Sequence, residues 1–134
     1  MKKKLLIVLS VIAAIVLAMA FFPPIIDCGD SEIYTKQERQ VAADLIADKI
    51  SSFEGCKLYA IVYEGDPVSE KNLEYCNELA EEGTVYVDSI VFTSYFRSPI
   101  FGWGAWNAND IYSWSWYLSR TADGNWEILT FGYA

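Results

Sequence analysis

Three lysines, Lys2, Lys3 and Lys4, are followed by an apolar run from Leu5 to Phe22 in which Ser10 is the only polar residue. The run has no amphipathic spacing and no charge, so it suits a membrane rather than the shell of a small core. Its lysines should stay on the cytoplasmic side, which places the chain beyond residue 22 outside. The run is long enough for a single-span anchor with the C-terminal domain outside, and the bulky Phe21-Phe22 pair favours retention. Ala18-Met19-Ala20 also has the small-x-small form of a signal peptidase site, so cleavage after Ala20 and secretion is the alternative. A lipid-attachment site at Cys28 is disfavoured, because Asp27 stands where a small residue is needed.

Setting that segment aside leaves little more than a hundred of the 134 residues, enough for one modest core. The division expected is residues 1–22 as signal peptide or transmembrane anchor, 23–34 as a linker opened by Pro23-Pro24, and 35–134 as one α+β domain. The formal charge is −8, and because Lys2, Lys3 and Lys4 belong to the apolar segment while no acid does, the remainder carries −11. Such a field repels phosphate, so nucleic acid is not an expected partner. With no histidine, the chain lacks the usual neutral-pH general base and the commonest zinc ligand. Cys28, Cys56 and Cys76 allow at most one disulfide in an oxidising compartment, with the pairing open.

The elements follow from periodicity. Thr35 and Glu38 form a capping-box pattern ahead of a helix whose Val41, Ala42, Leu45, Ile46, Ile50 and Phe53 share a face, and Gly55 closes it. Lys57 to Glu64 reads as a strand with Leu58, Ala60 and Val62 on one side, ending in Gly65-Asp66-Pro67. A second helix is expected from Ser69 to about Glu82. Its Glu70, Glu74 and Glu78 read as a solvated face rather than a cation ladder. Thr84 to Phe96 and Ile111 to Arg120 read as strands, the latter with Tyr112, Trp114, Trp116 and Leu118 on one face. Asp123-Gly124 then turns the chain into a last strand, Trp126 to Tyr133. The order α-β-α-β-β-β is met most simply by a consecutive antiparallel sheet packed on the first helix.

The closing segment, Trp114-x-Trp116-x-Leu118-x-Arg120-x-x-Asp123-Gly124-x-Trp126-x-Ile128 with Gly132-Tyr133, resembles the final hairpin of NTF2-like (cystatin-like) exported domains. With Gly55-Cys56-x-Leu58 and the strand Val85 to Phe96, it is also similar to uncharacterised secreted or membrane-attached proteins of Gram-positive gut bacteria. The resemblance implies a curved antiparallel sheet around a cone-shaped cavity beside the long helix. It implies no particular chemistry, because function in such folds is set by the cavity lining.

The most unusual stretch is Arg97 to Asp110 (RSPIFGWGAWNAND), a loop between strands that holds Trp103 and Trp106 among glycines. Either the rings fold back and cap the sheet, or they form a recognition surface for an envelope protein or a glycan, with Asp110 beside them. Asn107, Asn109 and Asp110 lack the spacing of a calcium loop and suit turn chemistry better. No metal site or cofactor is expected. Asp88, a carboxylate in an apolar strand, is the catalytic candidate if it faces the cavity; otherwise it faces outward or pairs with Arg97 or Arg120. The expected function is a non-catalytic extracytoplasmic binding module, held at the membrane by its N-terminal helix. An NTF2-like carrier or enzyme using the cavity is the alternative.

Overall fold

The structure, a computed structural model, describes the backbone of residues 1–134 and every side chain except those at 19 and 20. Helix α1 (Lys2–Ala20) carries most of the apolar run, and its described side chains are all exposed. Among the described residues no helix is long and apolar enough to cross a membrane. The helical part of the run, Leu5 to Ala20, is about 24 Å long at 1.5 Å per residue, against a hydrocarbon core of about 30 Å. The expected full spanning helix is thus corrected to a shorter one, because the chain leaves the helix at Phe21, before the apolar run ends. The cleavage pattern Ala18-Met19-Ala20 falls partly on side chains outside the described set.

The rest of the chain is α+β. In chain order it forms β1 (Ile25–Asp27), α2 (Lys36–Ser51), β2 (Lys57–Tyr63), α3 (Asp66–Lys71), α4 (Leu73–Glu78), β3 (Asp88–Arg97), β4 (Ile111–Arg120) and β5 (Glu127–Tyr133). The five strands lie side by side in sequence order. β1 runs parallel to β2, and every other neighbour is antiparallel. The sheet is therefore mixed rather than wholly antiparallel, with α2 as the crossover that a parallel pair requires.

The parallel edge arises inside the segment read as a linker. Residues 28–34 are held on two sides. Arg39, buried on α2, donates from Nε to the Cys28 carbonyl (2.8 Å), from Nη2 to the Gly29 carbonyl (3.1 Å) and from Nη1 to the Tyr34 carbonyl. Asp66 at the start of α3 accepts from the Ser31 hydroxyl (2.6 Å), the Glu32 amide (2.8 Å) and the Tyr63 hydroxyl (2.6 Å). Cys28 and Tyr34 consequently enter the core.

Helix α2 begins as its sequence predicts: Thr35 accepts the Glu38 amide and Glu38 accepts the Thr35 amide, so two otherwise unpaired donors are satisfied. Ala42, Ala43, Ile46 and Ile50 pack on the sheet, while Val41 stays exposed. Strand β2 has a bulge between Leu58 and Ala60. The extra residue reverses the expected alternation, so Leu58, Ile61 and Tyr63 face α2. The second helix starts earlier than expected, at Asp66 with Pro67 in its first turn, and breaks at Asn72. Strand β3 starts four residues late, because both backbone polar groups of Tyr86 are taken by the Asn77 side chain (2.8 and 3.0 Å).

The α2 face of the sheet is filled with rings. Phe92, Phe96 and Trp116 are fully buried, Trp116 stacks on Phe131 at 4.5 Å between centroids, and its Nε1 donates to Ser94 Oγ (2.7 Å). Ile46, Ile50 and Leu118 occupy the space beside them, where a cone-shaped cavity was expected. On the opposite face, buried Ser69 of α3 accepts the Val91 amide (3.1 Å) and Tyr75 of α4 meets Tyr117 edge-on.

Candidate functional site

Two surfaces lie at opposite ends of β3. The first is the loop 98–110, which is a folded unit rather than a loose connection. At its base the Ser98 amide donates to the Asp110 carbonyl and the Asp110 amide donates to Ser98 Oγ, both at 2.8 Å. Further out, the Pro99 carbonyl accepts the amides of Gly102 (3.0 Å) and Asn109 (2.8 Å), and the Trp103 carbonyl accepts the Trp106 amide (2.9 Å). These turns need left-handed backbone at Gly102 (φ 76°) and Asn109 (φ 48°), which glycine and asparagine adopt at least cost. A Cβ at Gly102 would also sit 3.3 Å from the Trp106 carbonyl oxygen.

This fold sends the two loop tryptophans in different directions. Trp106 turns inward against Phe53, Phe96, Tyr112 and Trp114, at 5.1 to 5.7 Å between centroids. Trp103 turns outward and is 68% exposed, next to Phe101 at 96%. Ile100 is exposed as well. An apolar cleft of about 350 Å³ runs between this tip and the turn at Glu54 and Gly55, with Arg97 and Pro99 in its wall. Asp110 does not join it: its Oδ1 accepts the Ile111 amide (3.0 Å) at the base of the loop.

The second surface is centred on Arg120 at the far end of β4. Its Nε donates to Asp88 Oδ2 (2.8 Å) and its Nη2 to Glu38 Oε1 (3.0 Å), while the guanidinium carbon lies 4.4 Å from the Trp126 ring centre. Asp88 is therefore in an ion pair, about 30 Å along β3 from the aromatic loop. An open cleft of about 450 Å³ adjoins the guanidinium, lined by Glu38, Val41, Leu45 and Trp126 among others. Glu38 lies below its ordinary carboxyl value, chiefly through the Thr35 amide, with Arg120 adding to the effect. Burial raises Tyr34, whose hydroxyl donates to the Ser89 carbonyl (2.8 Å).

Loss of this cation has a pH signature. A depressed carboxyl contributes stability that is fully present above its unfolded value, near 4.5, and is lost as pH falls through its folded value. Arg120→Met is expected to cost about 1 kcal/mol near neutral pH, the pairs being partly exposed. The difference from the unchanged protein should shrink as pH falls below the ordinary carboxyl range, which urea melts at a series of pH values would measure.

No protein-family model, curated protein or solved structure matches this chain. Among the described residues no three His, Cys, Asp or Glu side chains are grouped closely enough to hold a metal ion. The row Glu70, Glu74, Glu78 is interrupted where α3 gives way to α4. All three cysteines are free thiols, and burial raises the pKa of each.

Of the four residues singled out by sequence, the fold brings Trp103, Trp106 and Asp110 into one loop but gives them three different tasks. Asp88 is separate from them. Ile100 and Phe101 were missed, although two consecutive apolar residues between Pro99 and Gly102 are an available signal in a loop. The Asp88–Arg120 pair is one of several arrangements that the sequence leaves open for Asp88, and the contact of Arg120 with Glu38 has no signal in the sequence.

Proposed function

We propose that this chain places an NTF2-like α+β domain on the outer side of a cell membrane, where it acts as a non-catalytic binding module. The 98–110 loop is its contact surface. The observation that carries this reading is the outward presentation of Phe101 and Trp103 by a loop fastened at its base and crossed by its own backbone hydrogen bonds. Covering such side chains is worth about 1.5–3 kcal/mol each, so a partner that did so would be favoured. The exposed α1 supports the outward placement, since an apolar helix with no share in the core suits a segment that directs export. Long α2 lying across β2 to β5 supports the NTF2-like reading, and the parallel β1 edge departs from it.

A second reading places a small aromatic ligand in the cleft beside Arg120 and Trp126, where the guanidinium lies over the indole ring. The space under α2 offers a carrier less, being filled by Phe92, Phe96 and Trp116.

Tryptophan emission distinguishes the two. Titrating the full chain with envelope glycans, lipid vesicles and solubilised envelope proteins should shift emission for at least one class, and Trp103→Phe should abolish the shift. A shift that persists in Trp103→Phe and disappears in Trp126→Phe would favour the Arg120 cleft instead.

A further inference from the structure

The aromatic loop lies at the end of the domain from which the N-terminal segment departs. The Phe22 carbonyl, two residues beyond α1, accepts a hydrogen bond from Lys57 Nζ at 3.0 Å. Lys57 is paired with Arg97 across β2 and β3, and Arg97 with Ile111 across β3 and β4. Arg97 opens the loop, and the turn at Gly55 abuts Pro99 within it. One end of the sheet thus gathers Phe21, Phe22, Ile100, Phe101, Trp103 and Ile111, all exposed.

Charge separates the two ends. Around the loop Lys57 and Arg97 offset Glu54 and Asp110, so this end is close to neutral although the chain beyond residue 20 carries −11. Neither cation is in an ion pair among the described residues, and Arg97 Nε is buried without a hydrogen-bond partner. Glu64, Asp66, Asp88, Asp123 and Glu127 lie toward the other end of the strands or in the turns beyond it. An anionic lipid surface would repel that end and accept the aromatic one.

We infer that the loop end is a membrane-docking face whose occupant is the outer lipid leaflet. Phe101 and Ile100 enter the acyl boundary, Trp103 sits at headgroup level, and Arg97 and Lys57 meet lipid phosphates. Docking is pre-organised, because the loop is already folded and few side chains need ordering. The inference rests on the proposed outward placement at a membrane and adds the identity of the partner. Its geometry holds whether α1 is retained or removed, since Phe21 and Phe22 follow the helix at the same end.

The test uses the full chain in nanodiscs of phosphatidylcholine with phosphatidylglycerol, with and without brominated phosphatidylcholine as a quencher. The Trp103 contribution is the difference between the unchanged protein and Trp103→Phe. It should be blue-shifted, shielded from aqueous acrylamide and quenched by brominated lipid, and Phe101→Asp should remove that quenching while leaving the circular dichroism melt unchanged. If the chain enters the discs but the Trp103 contribution stays open to acrylamide and insensitive to brominated lipid, the docking face is refuted and membrane placement stands. If the chain does not associate with the discs, both fail. Shielding of Trp103 by an added envelope protein and not by lipid would also overturn the inference, in favour of a protein partner.

Discussion

Trp116→Ala is expected to lower the unfolding free energy by about 3–5 kcal/mol, out of the roughly 5–15 kcal/mol typical of a whole domain. The ring is fully buried, stacks on Phe131 and donates to Ser94 Oγ, so truncation opens a cavity and leaves a buried hydroxyl with one partner fewer. Urea denaturation should show the midpoint falling with little change in slope. Trp116→Phe, which keeps most of the packing, should cost much less. Trp103→Ala should change stability by about 0.5 kcal/mol or less, because its ring is mostly in solvent. That contrast separates a tryptophan that builds the fold from one that stands mostly in solvent.

Arg39→Met is expected to cost about 1.5–3 kcal/mol, although Arg39 forms no ion pair among the described residues. Its guanidinium joins α2 to the carbonyls of Cys28, Gly29 and Tyr34, and methionine leaves those oxygens without their charged donor. The damage should be local first. Amide exchange ought to accelerate in residues 25–34 while the β3 and β4 amides retain protection relative to global unfolding. A uniform acceleration across all strands would show instead that the β1 segment folds inseparably from the sheet.

The parts legible in the sequence are those set by neighbours a few residues apart. Thr35 and Glu38 announced the α2 cap, and the alternation from Tyr112 to Leu118 identified the inner face of β4. What escaped depends on side chains reaching distant backbone. Nothing near residue 25 marks β1 as a strand, since its neighbourhood is fixed by Arg39 and by Asp66. The late start of β3 follows from Asn77 holding Tyr86. The bulge in β2 turned Ile61 inward against a pattern that read equally well both ways.

The candidate site was legible in the same partial way. Composition marked 97–110 as unusual, yet could not divide Trp103 from Trp106, because that division depends on left-handed turns at Gly102 and Asn109 and on a receptive cluster around Phe53 and Phe96. For Asp88 the sequence held several options open, and β3–β4 pairing selects Arg120 by placing the two directly opposite.

Amide hydrogen exchange on the full chain, with and without envelope membranes, reads the proposed contact surface at the loop end against the Arg120 end. Exchange in residues 100–104 should slow on addition of membranes, with residues 35–41 and 120–126 around Arg120 unchanged. Slower exchange around Arg120, with 100–104 unaffected, would place the contact surface at the Arg120 end instead.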